Sequence, residues 1–587
     1  MNDTQQHAPK PTSLPPAPTG QHKPSYYLTT PIYYVNGVPH LGTAYTTVAA
    51  DALARHKRMD GFDAWFLTGL DEHGQKVATT AAEAGVTPQQ WVDSIAPRFK
   101  EAWAMLDIAY DDFIRTTELR HARGVQRFFE EVERNGYLYR DTYGGWYCVH
   151  EETHFNDDEL GEAEPEGGVP LCPDCKRPLK HIEEENIFFR LSAFQDRLLA
   201  FYEENPEFVC PQTRRNEVLS FVRGGLKDLS VSRTTFDWGV PITFAPGHVS
   251  YVWFDALINY VSAVGYGGDT DASSTLSCPE APTAASFDKR WPAQVHFVGK
   301  DIIRFHCVIW PAMLMAAGLK PPQRVFAHGF LLTKGEKMSK SRGNALAPAE
   351  LVATFGVDAY RYYFLSDVQF GADGSISLER MVQVYNADLA NSWGNLCSRV
   401  LNMTEKYCGG TVPGLWDKTV ARLTRDKGNP LAEAAAGLYE RCTRAFDALD
   451  YSGAMAAVQE LCARANLYVE ETAPWTIAKL AQEERLEAQK AGIDLDADAA
   501  SGGPTAPTQE DYLSFVLYNA LESLRLMALF FAPVMPQTSA EVWRRLGLGD
   551  LASLDCLKEA SAWGGLPAGN KVTVGGPLFP RLDIAEL

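Results

Sequence analysis

The sequence predicts an α/β protein in which a parallel-sheet domain is split by an inserted module and followed by an all-α helical bundle. Three observations support this fold class. Short apolar runs that end in Gly-rich loops occur in two separate parts of the chain, and a turn-rich stretch with Cys lies between them. Helical periodicity dominates from Leu378 to about Arg545. A chain of 587 residues is too long for one hydrophobic core, so several domains are expected.

The composition excludes several classes of protein. With 45% hydrophobic and 22% charged residues, the chain is an ordinary globular protein rather than a collagenous, disordered or coiled-coil one. A formal charge of -20 argues against nonspecific wrapping of nucleic acid, so a polyanion must be met by a local basic patch. The Cys content is too sparse for a disulfide scaffold, and no apolar run reaches the ~20 residues of a membrane span. We expect a cytoplasmic protein without membrane contact, and a disordered tail over residues 1–24.

The first half of the split domain is predicted over residues 25–136. A β-rich run, Tyr26–Thr30, leads through a Pro/Asn/Gly turn into a helical stretch over residues 43–58. A second run, Ala64–Thr68, ends at Gly69 and a polar cluster. Two strands that deliver loops from one parallel sheet indicate a Rossmann-like nucleotide-binding fold, in which ligands bind at the carboxyl ends of the strands.

Residues 137–245 are predicted to form an inserted connective module, because the composition shifts to aromatics, turns, acids and Cys after Tyr137. The strand pattern then returns at Val295–Val298 and Arg324–His328, and a Gly- and Lys-rich loop follows the second of these runs. The remaining predicted boundaries are 246–377 for the second half of the split domain, 378–550 for the helical domain and 551–587 for a C-terminal extension.

Two strings, one in each half of the sheet, together indicate a triphosphate site. Pro39-His40-Leu41-Gly42-Thr43 lies between a strand and a helix, where free N–H groups favour anions, although such a string alone is more often a capping turn with a surface His. Lys337-Met338-Ser339-Lys340-Ser341 places two ammonium groups on a loop that can close over phosphates, although alone it could be a solvated basic loop. Neither alternative explains why the two strings occur together on one sheet.

With these two strings the chain resembles the class I aminoacyl-tRNA synthetases, whose His-Ile-Gly-His and Lys-Met-Ser-Lys-Ser motifs they match. The resemblance implies that an amino acid carboxylate attacks the α-phosphate of ATP, which enters with Mg²⁺, and that positioning and charge supply the rate. Thr43 stands where the family has a second His, so we expect it only to position the phosphates. The resemblance assigns catalysis to His40, Lys337 and Lys340, and ATP binding to these residues together with Gly42, Thr43, Asp301 and Ser339.

Further segments resemble methionyl-tRNA synthetases in particular. A thioether gains from aromatic walls, and a carboxylate neutralises the substrate ammonium, so the implied pocket is chemically sensible. The function implied is methionine–tRNA ligation: L-methionine is activated to methionyl-adenylate and then transferred to tRNA(Met) for translation. The matching segments are Thr30–Gly37, Gly69–Gly74, Asp228–Arg233 and Tyr251–Ala256. The implied methionine-binding residues are Ile32, Tyr34, Asp71, Trp253, Tyr260 and His306.

Cysteines in the predicted insert indicate part of a structural zinc site. Cys172 and Cys175 have the spacing of a knuckle in which two thiolates share a tetrahedral Zn²⁺, and Cys148 supplies a third sulfur. Many relatives have Cys-x-x-Cys where this chain has Cys148-Val-His-Glu, so the fourth ligand would be His150, Glu151 or His154. The alternative, a metal-free knuckle held by packing, stays open.

The helical domain carries residues that match the anticodon-reading positions of the same family. Asn395 and Arg399 share one helix face at i and i+4, and Trp475 follows Pro474 near a predicted helix start. Unstacked bases are recognised by aromatic stacking and by hydrogen bonds to base edges. The resemblance therefore implies recognition of the CAU anticodon. Without it, the first two residues would be a solvated pair and Trp475 a core aromatic.

Three alternatives compete with this function. Synthetases for leucine, isoleucine and valine share both ATP motifs, but they carry an editing domain for which the Cys-containing stretch is too small. A nucleotidyltransferase of the same fold would have no use for the helical domain. A non-catalytic tRNA-binding protein would not need Lys337 and Lys340. We also expect a monomer, because the chain ends soon after Arg581 and leaves no room for a dimerising domain.

Overall fold

The computed structural model describes residues 23–35, 37–149, 153–155, 160, 169–268, 284–333, 336–337, 347–414, 417–493 and 507–586. Within these residues the strands are β1 (Ser25–Tyr34), β2 (Asp63–Asp71), β3 (Asp112–Arg115), β4 (Leu138–Cys148), β5 (Thr153–Phe155), β6 (Lys180–Phe189), β7 (Val209–Cys210), β8 (Leu229–Ser230), β9 (Ser232–Arg233), β10 (Val249–Ser250), β11 (Val295–Gly299), β12 (Val325–His328), β13 (Leu331–Thr333), β14 (Glu336–Lys337) and β15 (Gly374–Ile376). The helices are α1 (Leu41–Met59), α2 (Gln75–Glu83), α3 (Pro88–Met105), α4 (Leu119–Arg134), α5 (Gln195–Glu204), α6 (Gln212–Arg223), α7 (Val252–Leu257), α8 (Asn259–Ser262), α9 (Ala284–Arg290), α10 (Trp310–Ala316), α11 (Pro348–Phe355), α12 (Val357–Ser366), α13 (Leu378–Val384), α14 (Asn395–Cys408), α15 (Asp417–Lys427), α16 (Pro430–Ala435), α17 (Leu438–Asp447), α18 (Tyr451–Thr472), α19 (Pro474–Ala491), α20 (Gln509–Phe531), α21 (Pro536–Arg545) and α22 (Leu557–Ala560). The segments Phe305–Ile309 and Tyr385–Gly394 are π-helical.

The central sheet is parallel, and its strands lie in the order β3-β2-β1-β11-β12-β7 among the described residues. Leu28 of β1 pairs with Phe66 of β2 and with Val295 of β11, so the two halves of the split domain meet at β1. The structure confirms the predicted strands as β1, β2, β11 and β12. The prediction was incomplete at both edges: β3 is not among the strands predicted for residues 25–136, and β7 belongs to the sheet although it lies inside the predicted insert.

The two faces of this sheet pack into different hydrophobic cores, because neighbouring residues of a strand point to opposite faces. Leu28 and Phe66 belong to the first core, and Tyr27 and Leu67 belong to the second. The first core continues through α1 and α12 into the helical domain as far as Leu521 of α20. The second core packs against α4, α7 and the connective module.

Arg361 of α12 adds a polar connection between α1 and the helical domain. Its guanidinium donates to Asp51 Oδ2 of α1 at 2.6 Å and to the carbonyl oxygens of Leu106, Pro533 and Val534. Burial alone would raise the pKa of Asp51, but the charge of Arg361 holds it below its ordinary value. Both charges are fully buried. Removing Asp51 would leave Arg361 without this counter-charge, whereas Asp51 also pairs with Arg55 Nε at 2.7 Å.

The inserted module contains an antiparallel sheet with the strand order β5-β4-β6-β8. Strands β4 and β6 pair from Leu138 opposite Phe189 to Tyr147 opposite Lys180, which makes a long two-stranded ribbon. Cys148 ends β4, one residue after Tyr147, whose ring centroid lies 5.6 Å from the guanidinium of Arg233. The cysteine cluster therefore lies at the end of the ribbon opposite to Leu138 and Phe189.

Helix α20 forms the centre of the helical domain. By length and composition it could cross a membrane, but 89% of its most apolar window is buried inside the protein, as in the core helix of a bundle. No other helix of the described residues passes the same test. Glu522 of α20 accepts hydrogen bonds from the N–H groups of Gly564, Gly565 and Leu566. The predicted C-terminal extension is thus packed against the bundle.

Candidate active site

His40 caps the first turn of α1 at the carboxyl edge of β1. Its Nδ1 accepts hydrogen bonds from the N–H groups of Gly42 and Thr43, at 3.1 and 3.3 Å. Because Nδ1 is an acceptor, the neutral ring carries its proton on Nε2. A side chain at position 42 would press on the His40 ring, so glycine lets the imidazole fold over the turn. The Thr43 hydroxyl donates to the His40 carbonyl oxygen at 2.7 Å, within the same turn.

Thr46 and His328 connect α1 to the strand that precedes the second ATP motif. Thr46 Oγ1 lies 2.6 Å from His328 Nε2, and His328 Nδ1 lies 2.8 Å from the carbonyl oxygen of Gly329. Burial lowers the pKa of His328 below its ordinary value. The hairpin of β13 and β14 follows, with Lys337 opposite Leu332. The backbone of Lys337 therefore belongs to a small sheet, in the strand order β14-β13-β15, that begins directly after β12 and its contact with α1.

The remaining predicted ATP residues are described to different extents. Asp301 lies in the turn after β11, where a side chain at Gly299 would collide with its carboxylate. Lys300 forms an ion pair with Asp373 at 2.7 Å, and Asp373 also accepts a hydrogen bond from the N–H of Phe330 at the base of the hairpin. Ser339, Lys340 and the side chain of Lys337 lie outside the part of the chain that the structure describes.

Aromatic side chains cluster at the carboxyl edge of β1, where the methionine pocket is predicted. Trp253 of α7 stacks on Phe305, with ring centroids 3.8 Å apart and planes 9° from parallel. The edge of the same indole meets Tyr34, at a centroid distance of 6.2 Å. Ile32 is partly buried against the same core. The structure thus brings together the predicted wall residues and adds Phe305, which lies in the π-helical segment next to His306.

The polar side of this pocket combines Tyr260, His306 and Asp71. The Ile302 carbonyl only accepts, so His306 Nδ1 donates to it at 3.0 Å, and the Tyr260 hydroxyl donates to Nε2 at 2.7 Å. Burial lowers the pKa of His306 to about 4, which keeps this ring neutral near pH 7. Asp71 is 2% exposed and ends β2 in register with Tyr34. Burial chiefly raises the pKa of Tyr260, and the nearby charge of Asp71 adds to the rise.

Arg233 is a buried cation close to the start of α7. Its side chain donates from Nη1 to the carbonyl oxygens of Ser230 and Ser232, and its guanidinium lies 4.4 Å from the ring centroid of Tyr251. Among the described residues its Nε and Nη2 have no hydrogen-bond partner. Those N–H groups are suited to an anionic ligand. Arg233 ends the matching segment Asp228–Arg233, but the sequence alone indicates no role for it.

Cys148, Cys172 and Cys175 meet at the end of the β4–β6 ribbon. The sulfurs of Cys148 and Cys175 are 3.5 Å apart, and the three sulfurs lie within 4.8 Å of one another. Tetrahedral Zn–S bonds of about 2.3 Å place sulfurs roughly 3.8 Å apart, so this donor set fits Zn²⁺. The N–H of Cys175 also donates to Cys172 Sγ at 3.5 Å. His150, Glu151 and the side chain of His154 lie outside the described residues, so the fourth ligand stays a prediction.

The predicted anticodon residues lie on the surface of the helical domain. Asn395 is exposed at the start of α14, and Arg399, one turn later, forms an ion pair with Glu470 of α18 at 2.6 Å. Trp475, near the start of α19, is 39% exposed, which argues against the alternative that it is a core aromatic. Helix α14 packs against both α18 and α19. Whether these residues read an anticodon stays a prediction.

Comparison with known proteins identifies the family. A family profile described as tRNA synthetases class I (M) matches residues 26–401. The methionine–tRNA ligase of Streptomyces coelicolor is 45% identical over 576 residues, which cover 97% of this chain and 99% of the relative. The chain belongs to the class I methionine–tRNA ligases.

Other members of the methionine–tRNA ligase family show the same relation. The enzyme of Thermotoga maritima is 44% identical over 569 residues, covering 96% of this chain and 81% of the relative. The solved structure of Mycobacterium tuberculosis methionyl-tRNA synthetase in complex with methionyl-adenylate has a TM-score of 0.81 at 40% identity, covering 95% of this chain and all of that one. These matches confirm the predicted resemblance and the predicted fold class, a split α/β domain followed by a helical bundle.

Proposed function

We propose that this chain activates L-methionine with ATP and transfers it to tRNA(Met). In the first step, a methionine carboxylate oxygen attacks the α-phosphorus of ATP and pyrophosphate leaves, which gives methionyl-adenylate. In the second step, a terminal ribose hydroxyl of the tRNA attacks the carbonyl carbon and AMP leaves. The observation that carries the proposal is the aromatic pocket with the buried Asp71 at the edge of the sheet where His40 caps α1. The adenylate held by the M. tuberculosis relative supports this reaction.

On the methionine side, each residue has a distinct task. The Asp71 carboxylate binds the substrate ammonium, because a charge-assisted hydrogen bond fixes its orientation in a dry pocket. The stacked rings of Trp253 and Phe305, with Tyr34 and Ile32, contact the flexible and polarizable thioether side chain. His306 is neutral and accepts from Tyr260, so it brings no cation next to the substrate ammonium.

On the ATP side, no side chain acts as a nucleophile. His40 donates from Nε2 to the phosphates, and Gly42 and Thr43 present the first turn of α1 to them. The loop bearing Lys337, Ser339 and Lys340 closes over the phosphates and stabilises the charge that develops during attack. Asp301 accepts hydrogen bonds from the ribose hydroxyls. Mg²⁺ enters with ATP and neutralises phosphate charge.

The other predicted sites serve structure and partner choice. Cys148, Cys172 and Cys175 would hold a structural Zn²⁺, which cross-links the end of the connective module. In the helical domain, Asn395, Arg399 and Trp475 would read the CAU anticodon through base edges and stacking. We further propose that the enzyme is monomeric and cytoplasmic.

ATP–pyrophosphate exchange with each amino acid in turn tests the function. We expect methionine to support exchange, and leucine, isoleucine and valine to support it at least about a hundredfold less well. Preferred exchange with one of those three would indicate another class I synthetase. Exchange that needs no amino acid would indicate a nucleotidyltransferase. A protein that binds tRNA but catalyses no exchange would be a non-catalytic binding protein.

A further inference from the structure

A buried chain of polar side chains lies beneath the methionine pocket. Asp255 Oδ2 accepts from His73 Nδ1 at 2.6 Å, and Asp255 Oδ1 accepts from His121 Nε2 at 2.7 Å. The other ring nitrogen of His121 lies 3.0 Å from the hydroxyl of Ser262. Asp255 and His121 are fully buried, and the exposure of Ser262 is 1%. None of these side chains has a role in the mechanism described above.

This chain connects the elements that carry the pocket. Three of its members each lie two positions after a pocket residue, as the pairs Asp71 and His73, Trp253 and Asp255, and Tyr260 and Ser262. His121 comes from α4 and joins two of these members without adding a pocket residue. Helix α4 can approach so closely because Gly124 faces Ser262: a Cβ at position 124 would lie 2.7 Å from Ser262 Cβ.

Asp255 is the centre of the chain because it bonds both histidines. Burial alone would raise its pKa, but His73 and His121 lower the pKa of Asp255 to about 2. At neutral pH it is therefore a carboxylate that only accepts, and each ring turns an N–H toward it. A buried carboxylate held by two rings from different elements fixes the distance between those elements.

The loop with Asp71 is also held from its other side. Trp238 Nε1 donates to the carbonyl oxygen of Glu72 at 2.7 Å, and the carboxylate of Glu72 accepts from Arg115 at 2.7 Å. The edge of the His73 ring meets Trp238 at a centroid distance of 5.5 Å. These contacts fix the conformation of the loop. The hydrogen bond from His73 to Asp255 then fixes the position of the loop relative to α7.

Resting on the proposed function, we infer that Asp255 and His121 are positioning residues for methionine. They hold the ammonium-binding carboxylate of Asp71, the aromatic wall of Trp253 and the hydroxyl of Tyr260 at fixed separations. The chain reaches no residue assigned to ATP. Loosening it should therefore weaken methionine recognition and leave ATP recognition nearly intact.

The test is exchange kinetics of Asp255→Asn and His121→Phe in the full chain, with methionine and ATP varied separately. The asparagine keeps the size of Asp255 but offers only one acceptor oxygen to two ring N–H groups. We expect the KM for methionine to rise about tenfold or more, since small displacements of binding groups have large effects. The KM for ATP should stay within about twofold and kcat within about threefold.

Glu522→Gln is the matched control, because Glu522 is an equally buried carboxylate that bonds Arg525 and backbone N–H groups of the C-terminal segment. It should lower the unfolding temperature and change neither KM. A KM for methionine within about twofold of wild type in both test variants overturns the inference. So does an equal rise in both KM values.

If Asp255→Asn does not fold, Ser262→Ala decides, because it removes only a hydroxyl at the end of the chain, which bonds His121 and the carbonyl oxygen of Asn259. It should raise the KM for methionine about threefold and leave that for ATP unchanged, and an unchanged KM for methionine overturns the inference. Absence of methionine-dependent exchange in the unaltered protein would instead refute the proposed function, before variants are compared.

Discussion

Replacing His56 with Phe should make the folded protein less sensitive to acid. His56 lies on α1, is 1% exposed, and stacks on Phe446 of α17 with ring centroids 4.2 Å apart and planes 6° from parallel. Its Nε2 has no hydrogen-bond partner among the described residues. Burial, with the neighbouring charge of Lys57 adding to it, lowers the pKa of His56 from 6.5 to about 3. The folded protein therefore keeps the ring neutral under conditions in which the unfolded chain protonates it.

The size of the effect follows from these two pKa values. Between pH 6.5 and about 3, the unfolded state binds the proton of His56 and the folded state does not, so stability falls as the pH falls. Each pH unit in this window removes about 1.4 kcal/mol, so lowering the pH from 7 to 5 removes about 2 kcal/mol through this side chain. Phenylalanine keeps the stacked ring and takes up no proton, so the variant should not lose this amount.

Urea unfolding of both proteins at pH 7 and at pH 5, followed by tryptophan emission, measures the difference. Other buried histidines, such as His306, titrate in both proteins and cancel in the comparison. Wild type should lose about 2 kcal/mol more than His56→Phe between the two pH values. If the two losses agree within about 0.5 kcal/mol, the ring is not held neutral in the folded protein and the reasoning is wrong.

Three further predictions concern the proposed sites. Lys340→Ala should slow adenylate formation about a hundredfold or more with methionine binding nearly unchanged, and exchange at saturating ATP within about threefold of wild type would contradict its role. Cys172→Ser or Cys175→Ser should release zinc and destabilise the module without abolishing exchange. Elemental analysis of wild type prepared without chelator checks this, and less than about a tenth of an equivalent of zinc would favour the metal-free knuckle. Trp475→Ala should lower charging of a CAU-anticodon tRNA about tenfold or more and spare exchange, because a lost base stack costs roughly 1–3 kcal/mol. Full charging with full preference for CAU would mean that the anticodon is read elsewhere.

The sequence predicted the strands that carry a strong local signal. Strands β1, β2, β11 and β12 are buried apolar runs that end in Gly-containing loops, and all were found. Strand β3, Asp112–Arg115, is four residues long with a charge at each end, and β7 has only two residues. Neither is long enough to show a period. Their place in the sheet depends on pairing with distant strands, which no local pattern reveals.

The candidate site was predictable as a set of segments but not as a set of contacts. The segments with Asp71 and Trp253 were recognised, yet the bond between His73 and Asp255 joins residues 182 positions apart. Phe305 was not predicted, although it is next to His306. The sequence does not show which side of the π-helical segment faces the pocket. Such contacts arise only when tertiary packing brings separate elements together.

The continuous core between sheet and bundle has a mechanical consequence. Apolar side chains run without a break from Phe66 in the sheet to Leu521 in α20, and Arg361 crosses the same junction with its hydrogen bonds made. Bending at the junction between the sheet and the bundle would expose the apolar core to water and break hydrogen bonds of the buried Arg361. The junction therefore resists bending. The distance between the edge of the central sheet and the surface of the helical domain is therefore fixed. On the proposed function, a tRNA must therefore match the protein in length as well as in anticodon. Its anticodon and its acceptor end have to reach two sites whose separation does not change.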